Sequence, residues 1–411
     1  MPLDTGDTSF MLVATALVMI MTPGLAFFYG GLVSRKNVLA IMMQSYVSMG
    51  VSTILWVAVG YSLCFSGDVG GMGIIGNLDM AFLRGIEVTD LGGLNDTIPL
   101  LLFVVYQMMF AIITPALITG AFANRITFKA YLIFLVAWQI LVYYPFVHMI
   151  WGGGMLADGG IFGDVGVKDF AGGIVVHTLA GMAALASVIY VGKRRVEDAG
   201  AHNVPFVAIG AALLWFGWFG FNAGSELAVD EVTAVAFINT QIAAAFAAIT
   251  WLLLAWLYDG KPSFVEMLIG MIAGLATITP AAGFVSPQSA MLIGVAAGAV
   301  CYFAVVFRKK KGLDDALDVW GVHGVGGALG IIMLGVLAST EINPAGADGL
   351  MSGSSDFFMV QLAGLALACV WAFAFTYGML MMIDMITPVR VTDEAEAALD
   401  VTLHGESAYI D

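Results

Sequence analysis

Apolar residues run through this chain in long blocks, separated by short stretches rich in charge, Gly or Pro. About twenty apolar residues in helical form cross the hydrocarbon core of a bilayer. Eleven such blocks stand out, at 9–32, 39–64, 98–122, 127–149, 170–191, 204–222, 232–258, 264–279, 289–307, 319–338 and 357–386; the eighth is short. Pro23, Pro115 and Pro145 lie inside blocks. Such prolines break soluble helices, but neighbouring helices make them tolerable in a membrane.

Basic residues sort the loops between these blocks. Arg35, Lys36, Arg125, Lys129, Lys193 to Arg195, Lys261, Arg308 to Lys311 and Arg390 all fall on alternate connections, thirteen of the fifteen Lys and Arg; only Arg84 and Lys168 fall on the others. Cytoplasmic loops are enriched in Lys and Arg. The expectation is an all-α, multi-pass cell-membrane protein with eleven transmembrane helices, its N-terminus outside and its C-terminus inside. The first block follows two acids and has no basic residue before it, so it is expected to be a retained span rather than a cleaved signal.

Composition agrees with that reading. The 411 residues are 60% hydrophobic and only 11% charged, against about 25% charged in soluble domains. The three cysteines, Cys64, Cys301 and Cys369, lie inside apolar blocks, so no disulfide is expected. The net charge of −15 excludes nucleic acid as a partner. Sixteen of the thirty acids fall on the outer connections against two bases. A field of that sign gathers cations at the outer mouth, although acids also simply keep loops soluble.

Of five histidines, only His177 and His323 lie deep in apolar blocks; His202 and His404 are in polar segments and His148 is near a block end. Asp169-x7-His177-x3-Gly181 in the fifth block matches Asp315-x7-His323-x3-Gly327 at the tenth. Blocks five apart run in opposite directions, so equal spacing points to two inverted five-helix repeats followed by a final helix. If Asp and His stand on one continuous helix, eight residues rise about 12 Å, which carries each histidine toward the midplane. Each Asp stands where a helix N-cap would. A single buried histidine is often a packing residue, but ionisable groups at symmetric intramembrane positions line ligand or proton paths. Metal binding is the rival reading, and two histidines with no nearby Cys or carboxylate cluster make a poor site for it. No cofactor loop and no pairing of nucleophile with base is visible, so neither a cofactor nor an enzymatic activity is expected.

Over essentially its whole length the chain resembles the ammonium transporter family, the Amt branch of the Amt/Rh superfamily. The likeness is carried by Asp169-Phe170-Ala171-Gly172-Gly173-Ile174-Val175-Val176-His177, with Pro23-Gly24-Leu25-Ala26-Phe27-Phe28-Tyr29-Gly30-Gly31, Trp218-Phe219-Gly220-Phe221-Asn222-Ala223-Gly224-Ser225 and Gly321-Val322-His323-Gly324-Val325. The resemblance implies a homotrimer with one pore per subunit, a membrane domain over 1–391 and a cytoplasmic tail over 392–411. It also implies an outer ammonium site of Phe110, Trp151 and Ser225, a gate of Phe110 over Phe221, and a pore beside His177 and His323. Asp169 is then either the proton acceptor or a structural acid. Tyr106, one turn before Phe110, stands where the family commonly has Phe and adds a hydroxyl to the site; Ile174 stands where it often has Thr.

Physical reasons accompany each assignment. Ammonium and potassium are alike in size and charge, so selection must use aromatic faces and a hydroxyl acceptor, whereas potassium would need a cage of carbonyls. The function implied is nitrogen uptake by a channel-like transporter that deprotonates ammonium outside and conducts ammonia. An ammonium sensor, which predicts an appended signalling domain or a large inner insertion, and a Rh-like gas channel are the alternatives. On the inner face, the acidic tail is expected to dock on Lys193 to Arg195 or Arg308 to Lys311, and a PII-type signalling protein is an implied partner.

Overall fold

The computed structural model describes residues 3–92, 96–196 and 200–409. Ten helices among them are long and apolar enough to span a membrane. They are α1 (Thr5–Leu32), α2 (Val38–Phe65), α3 (Leu100–Ile118), α4 (Phe128–Ile150), α5 (Gly173–Val191), α6 (Val204–Glu226), α7 (Glu231–Asp259), α9 (Pro287–Lys310), α10 (Trp320–Leu337) and α11 (Ser355–Asp384). The shorter α8 (Phe264–Ile278) makes eleven, at the position of the short eighth block. The only strands among the described residues are two of two residues each, Leu91–Gly92 and Ile98–Pro99.

Helix starts follow from capping side chains, because the first turn leaves N–H groups unpaired. Asp4 accepts from Gly6 and Asp7 at α1, Asn203 from Phe206 at α6, and Asp230 from Thr233 in a capping box at α7. Ser286, followed by Pro287, opens α9. Pro23 and Pro115 sit inside α1 and α3, as hydrocarbon-embedded helices allow.

Lipid gives no hydrophobic drive for helices to associate, so small residues that admit close backbone contact decide the packing. α1 lies along α6, where a Cβ on Gly210 would stand 2.2 Å from the Phe28 nitrogen. α5 crosses α10 more tightly still. A Cβ on Gly181 would stand 2.0 Å from the Gly324 Cα, one residue after His323.

One start differs from the sequence expectation. Asp169 lies ahead of the helix that carries His177, and the eight residues between them are not one continuous helix: the chain turns at Gly172, φ 117°, and α5 begins at Gly173. His177 is thus little more than one turn into its helix, and the 12 Å rise does not apply. The pattern repeats in α10, which starts at Trp320, beyond Asp315. The fifth block began three residues before α5 because Phe170, Ala171 and Gly172 are buried and uncharged, which apolarity alone cannot tell from helix.

The face carrying the basic loops is closed by ion pairs. Buried Arg125 donates to the Gly192 carbonyl at 2.6 Å and faces Asp314 at 3.7 Å; Arg194 forks onto the same Asp314. Asp314 is partly buried, yet the Arg194 bonds and the Arg125 charge hold its carboxyl down at about 2. The C-terminal segment docks here. Arg195 pairs with Asp393, Glu396 accepts from Arg390 at 2.9 Å and from the Arg195 nitrogen at 2.6 Å, and Asp400 accepts the Ala40 nitrogen at 2.8 Å. Arg308, at the other expected docking site, is turned instead to Asp318.

The glycine crossing is testable. Gly181→Val should abolish recovery of folded protein, because the added carbons meet backbone that cannot move. Gly50→Ala in α2, with nothing within 4 Å, should leave thermal stability unchanged or slightly raised. Equal recovery and melting of both variants in detergent would refute the crossing.

Candidate functional site

Asp169 organises the approach to the site. Its Oδ1 accepts the N–H groups of Gly172 and Gly173 at 2.9 and 2.6 Å, and its Oδ2 those of Ile174 and Val175 at 2.8 and 3.1 Å. One buried carboxylate therefore satisfies the donors that the broken helix start would leave bare in hydrocarbon. The same residue's backbone carbonyl accepts the Trp151 indole N–H at 2.9 Å. Cap and tryptophan are tied together.

From Trp151, rings from four helices form a column. Trp151 meets Phe110 edge-on with centroids 6.1 Å apart, Phe110 lies over Phe221 at 4.4 Å, Phe221 stacks on His177 at 6.0 Å, and His177 stacks on His323 at 5.2 Å. Phe110 and Phe221 are 1% exposed and stand between Trp151 and the histidines. Ser225 is half-buried above Phe221, donating to its carbonyl at 2.9 Å.

The Tyr106 hydroxyl is engaged by the backbone. It bonds the carbonyls of Gly220 and Phe221 at 2.9 and 3.1 Å and stands 3.3 Å from the Ser225 Oγ. This residue ties α3 to the end of α6 and holds Ser225 in place.

His177 and His323 enter from α5 and α10, and their Nδ1 atoms are 3.2 Å apart. Two facing ring nitrogens at that distance share one hydrogen, so one Nδ1 donates and the other accepts. With both rings neutral, the accepting ring carries its hydrogen on Nε2 and the donating ring has a bare Nε2. The pair thus offers one donor and one acceptor, and the Nε2 of His177 has no protein partner. Beside them lies a cavity of about 20 Å³, room for about one molecule the size of water, walled by Leu25, Ile113, Val176, Leu214 and Phe221.

Trp218 carries part of the family likeness but had no place in the expected site. It stacks on His177 at 5.4 Å and anchors its indole N–H on Thr279 Oγ1 at 2.9 Å. Its place three residues before Phe221, on one helix face, was the available signal. Asp315 mirrors Asp169 in part: it accepts the Trp320 nitrogen at 2.7 Å, but its Oδ1 is buried without a partner. Burial, with the Asp318 charge adding, lifts the Asp315 carboxyl to about 6. No group of three or more His, Cys, Asp or Glu side chains among the described residues is arranged to hold a metal ion.

A family model described as Ammonium Transporter Family matches residues 9–409. The chain belongs to the ammonium transporter family. It is 46% identical over 412 residues to an ammonium transporter of Bacillus subtilis, covering the whole of both chains. It is 42% identical to the ammonium transporter Amt1 of Archaeoglobus fulgidus, over 99% of this chain and all of that one. Its fold matches the crystal structure of Candida albicans Mep2 with a TM-score of 0.88 at 32% identity, over 99% of this chain and 93% of the other. This ammonium transporter is a multi-pass membrane protein, and its relatives are named as transporters rather than enzymes.

The Asp169 cap makes a stability prediction for the transporter. Asp169→Ala leaves four N–H groups without their acceptor, at about 1–3 kcal/mol for each one that stays buried and unpaired. Its thermal midpoint should fall sharply, with Asp169→Asn intermediate because one carbonyl oxygen remains. An unchanged midpoint for the alanine variant would remove the capping role.

Proposed function

We propose that this transporter takes ammonium from outside at Trp151, Phe110, Ser225 and the Tyr106 edge, where the ion gives a proton to water at the outer mouth, and passes the resulting ammonia inward past Phe110 and Phe221 to His177 and His323. The observation that carries the reading is the unbroken ring column ending on two facing histidines beside an apolar cavity. Aromatic faces attract a cation at the mouth, at about 0.5–2 kcal/mol each. Apolar walls beyond the gate penalise charge heavily, on the order of 20 kcal/mol for an unrelaxed ion, and penalise ammonia far less. Ammonia needs a donor for its lone pair and an acceptor for its hydrogens, which is what the shared hydrogen between the rings leaves available.

Asp169 serves this route as a structural acid. Both its oxygens are occupied by backbone donors, which supports shaping over proton acceptance. The N-terminus faces outside, following the basic loops, and the two five-helix halves α1–α5 and α6–α10 are related as inverted repeats, which the shared start of α5 and α10 supports. The assembly is a homotrimer with one pore per subunit. On the cytoplasmic face the tail, residues 392–411, couples subunits, and a PII-type protein is the expected partner of the same surface.

Two measurements test the route. His177→Ala combined with His323→Ala should give folded protein whose ammonium flux is lost, or whose charge moved per ammonium changes, in proteoliposomes; unchanged flux and current would make these packing histidines. Trp151→Leu and Ser225→Ala should each raise the half-saturating ammonium concentration about fivefold, roughly 1 kcal/mol, with a smaller effect on maximal flux. Flux reduced by one factor at every ammonium concentration would argue against an outer binding site.

A further inference from the structure

Trp151 stands at the end of α4, on a turn whose placement depends on its neighbours. His148, one turn earlier, is 1% exposed and holds that turn from two sides. Its carbonyl accepts the Gly152 and Gly154 nitrogens at 3.1 and 2.9 Å, and its ring reaches across to α2 and the loop that follows. Nδ1 stands 2.9 Å from the Cys64 carbonyl, and Nε2 stands 3.5 Å from Asp68 Oδ1. The Asp68 side chain is 24% exposed. The same loop is joined to the turn a second time, where the Gly73 carbonyl accepts the Met155 nitrogen at 2.7 Å.

The chemistry of the ring follows from its partners. A carbonyl only accepts, so Nδ1 must carry hydrogen, and Nε2 is then the atom left to meet Asp68. At 3.5 Å Nε2 makes no hydrogen bond, so the contact is an ion pair when the ring is protonated, and a hydrogen-bond donor in place of the carboxylate would suit the neutral ring. A Cβ on Gly152 would come within 2.0 Å of the Cys64 carbonyl, so the turn, the ring and the end of α2 are in close contact. Small displacements of Asp68 therefore have a direct route to Trp151.

We infer that His148, braced by Asp68, is a positioning residue that sets Trp151 over Phe110 and thereby the affinity of the outer site for ammonium. The inference rests on the proposed role of Trp151, and the experiment separates the two. Ammonium flux is measured in proteoliposomes for Asp68→Ala, Asp68→Asn, Trp151→Leu and Asp68→Ala with Trp151→Leu. Asp68 is chosen over His148 because its side chain is partly exposed and its loss should spare the fold.

Asp68→Ala should raise the half-saturating concentration roughly two- to fivefold with maximal flux nearly unchanged. Asp68→Asn should restore most of the affinity, since its amide can donate to Nε2. In the Trp151→Leu background Asp68→Ala should add nothing, the non-additivity expected when one residue acts through another. An asparagine variant as weak as the alanine one would show that the negative charge attracts the cation directly, and would overturn the inference. So would an Asp68→Ala effect that persists in full without Trp151, or no effect at all. If Trp151→Leu itself leaves the half-saturating concentration unchanged, the outer-site reading falls and this inference with it.

Discussion

The carboxylate of Asp169 and the four backbone N–H groups it accepts determine where everything else in the centre of the molecule stands. A helix that begins inside a membrane exposes donors that neither water nor lipid can satisfy there. With those donors closed by one side chain, the chain can turn at Gly172 and start α5 below the acidic-loop face. His177 then arrives in the interior early in its helix, and Trp151, bonded to the Asp169 carbonyl, is set above it. Without that cap the ring column would have no fixed upper end.

The lower half of the column depends on a second constraint, the absence of side chains where α5 crosses α10. Gly181 and Gly324 let the two backbones touch, and the imidazoles meet at 3.2 Å because the helices that carry them can approach that closely. Buried polar groups of this kind are costly unless paired, and each ring meets the other. The pairing uses the Nδ1 of each ring, and the Nε2 of His177 is left without a protein partner. Trp218, stacked on His177 and anchored on Thr279, keeps that ring from turning.

The basic-loop face is built on different physics. Arg125, Arg194, Arg195 and Arg390 are held by Asp314, Asp393, Glu396 and backbone carbonyls, so the loops and the C-terminal segment form one bonded plate. Arg195 and Asp393 lie where water reaches them, and such an exposed pair is individually modest. The number of bonds, and the burial of Arg125 and Glu396, make the plate continuous with the ends of α2 and α5.

Span number, the short eighth helix, the loops that carry the basic residues and the equal Asp–His spacing could be read along the chain. Each depends on apolar length or local charge, quantities that need no knowledge of neighbours. Phe110, Trp151, Phe221 and Ser225 stood out only through likeness to a family, because 48 aromatic residues offer no local sign of which ones face a pore. Tertiary structure alone decided that α5 starts at Gly173 after a turn at Gly172, that the Tyr106 hydroxyl is engaged by carbonyls of α6, that Trp218 backs His177, and that His148 meets Asp68. The helix start is invisible to hydropathy because the buried segment before it is equally apolar. The other contacts join residues about 40 to 115 positions apart, and hydrogen bonding and close packing between such distant residues exist only once the helices have been brought together.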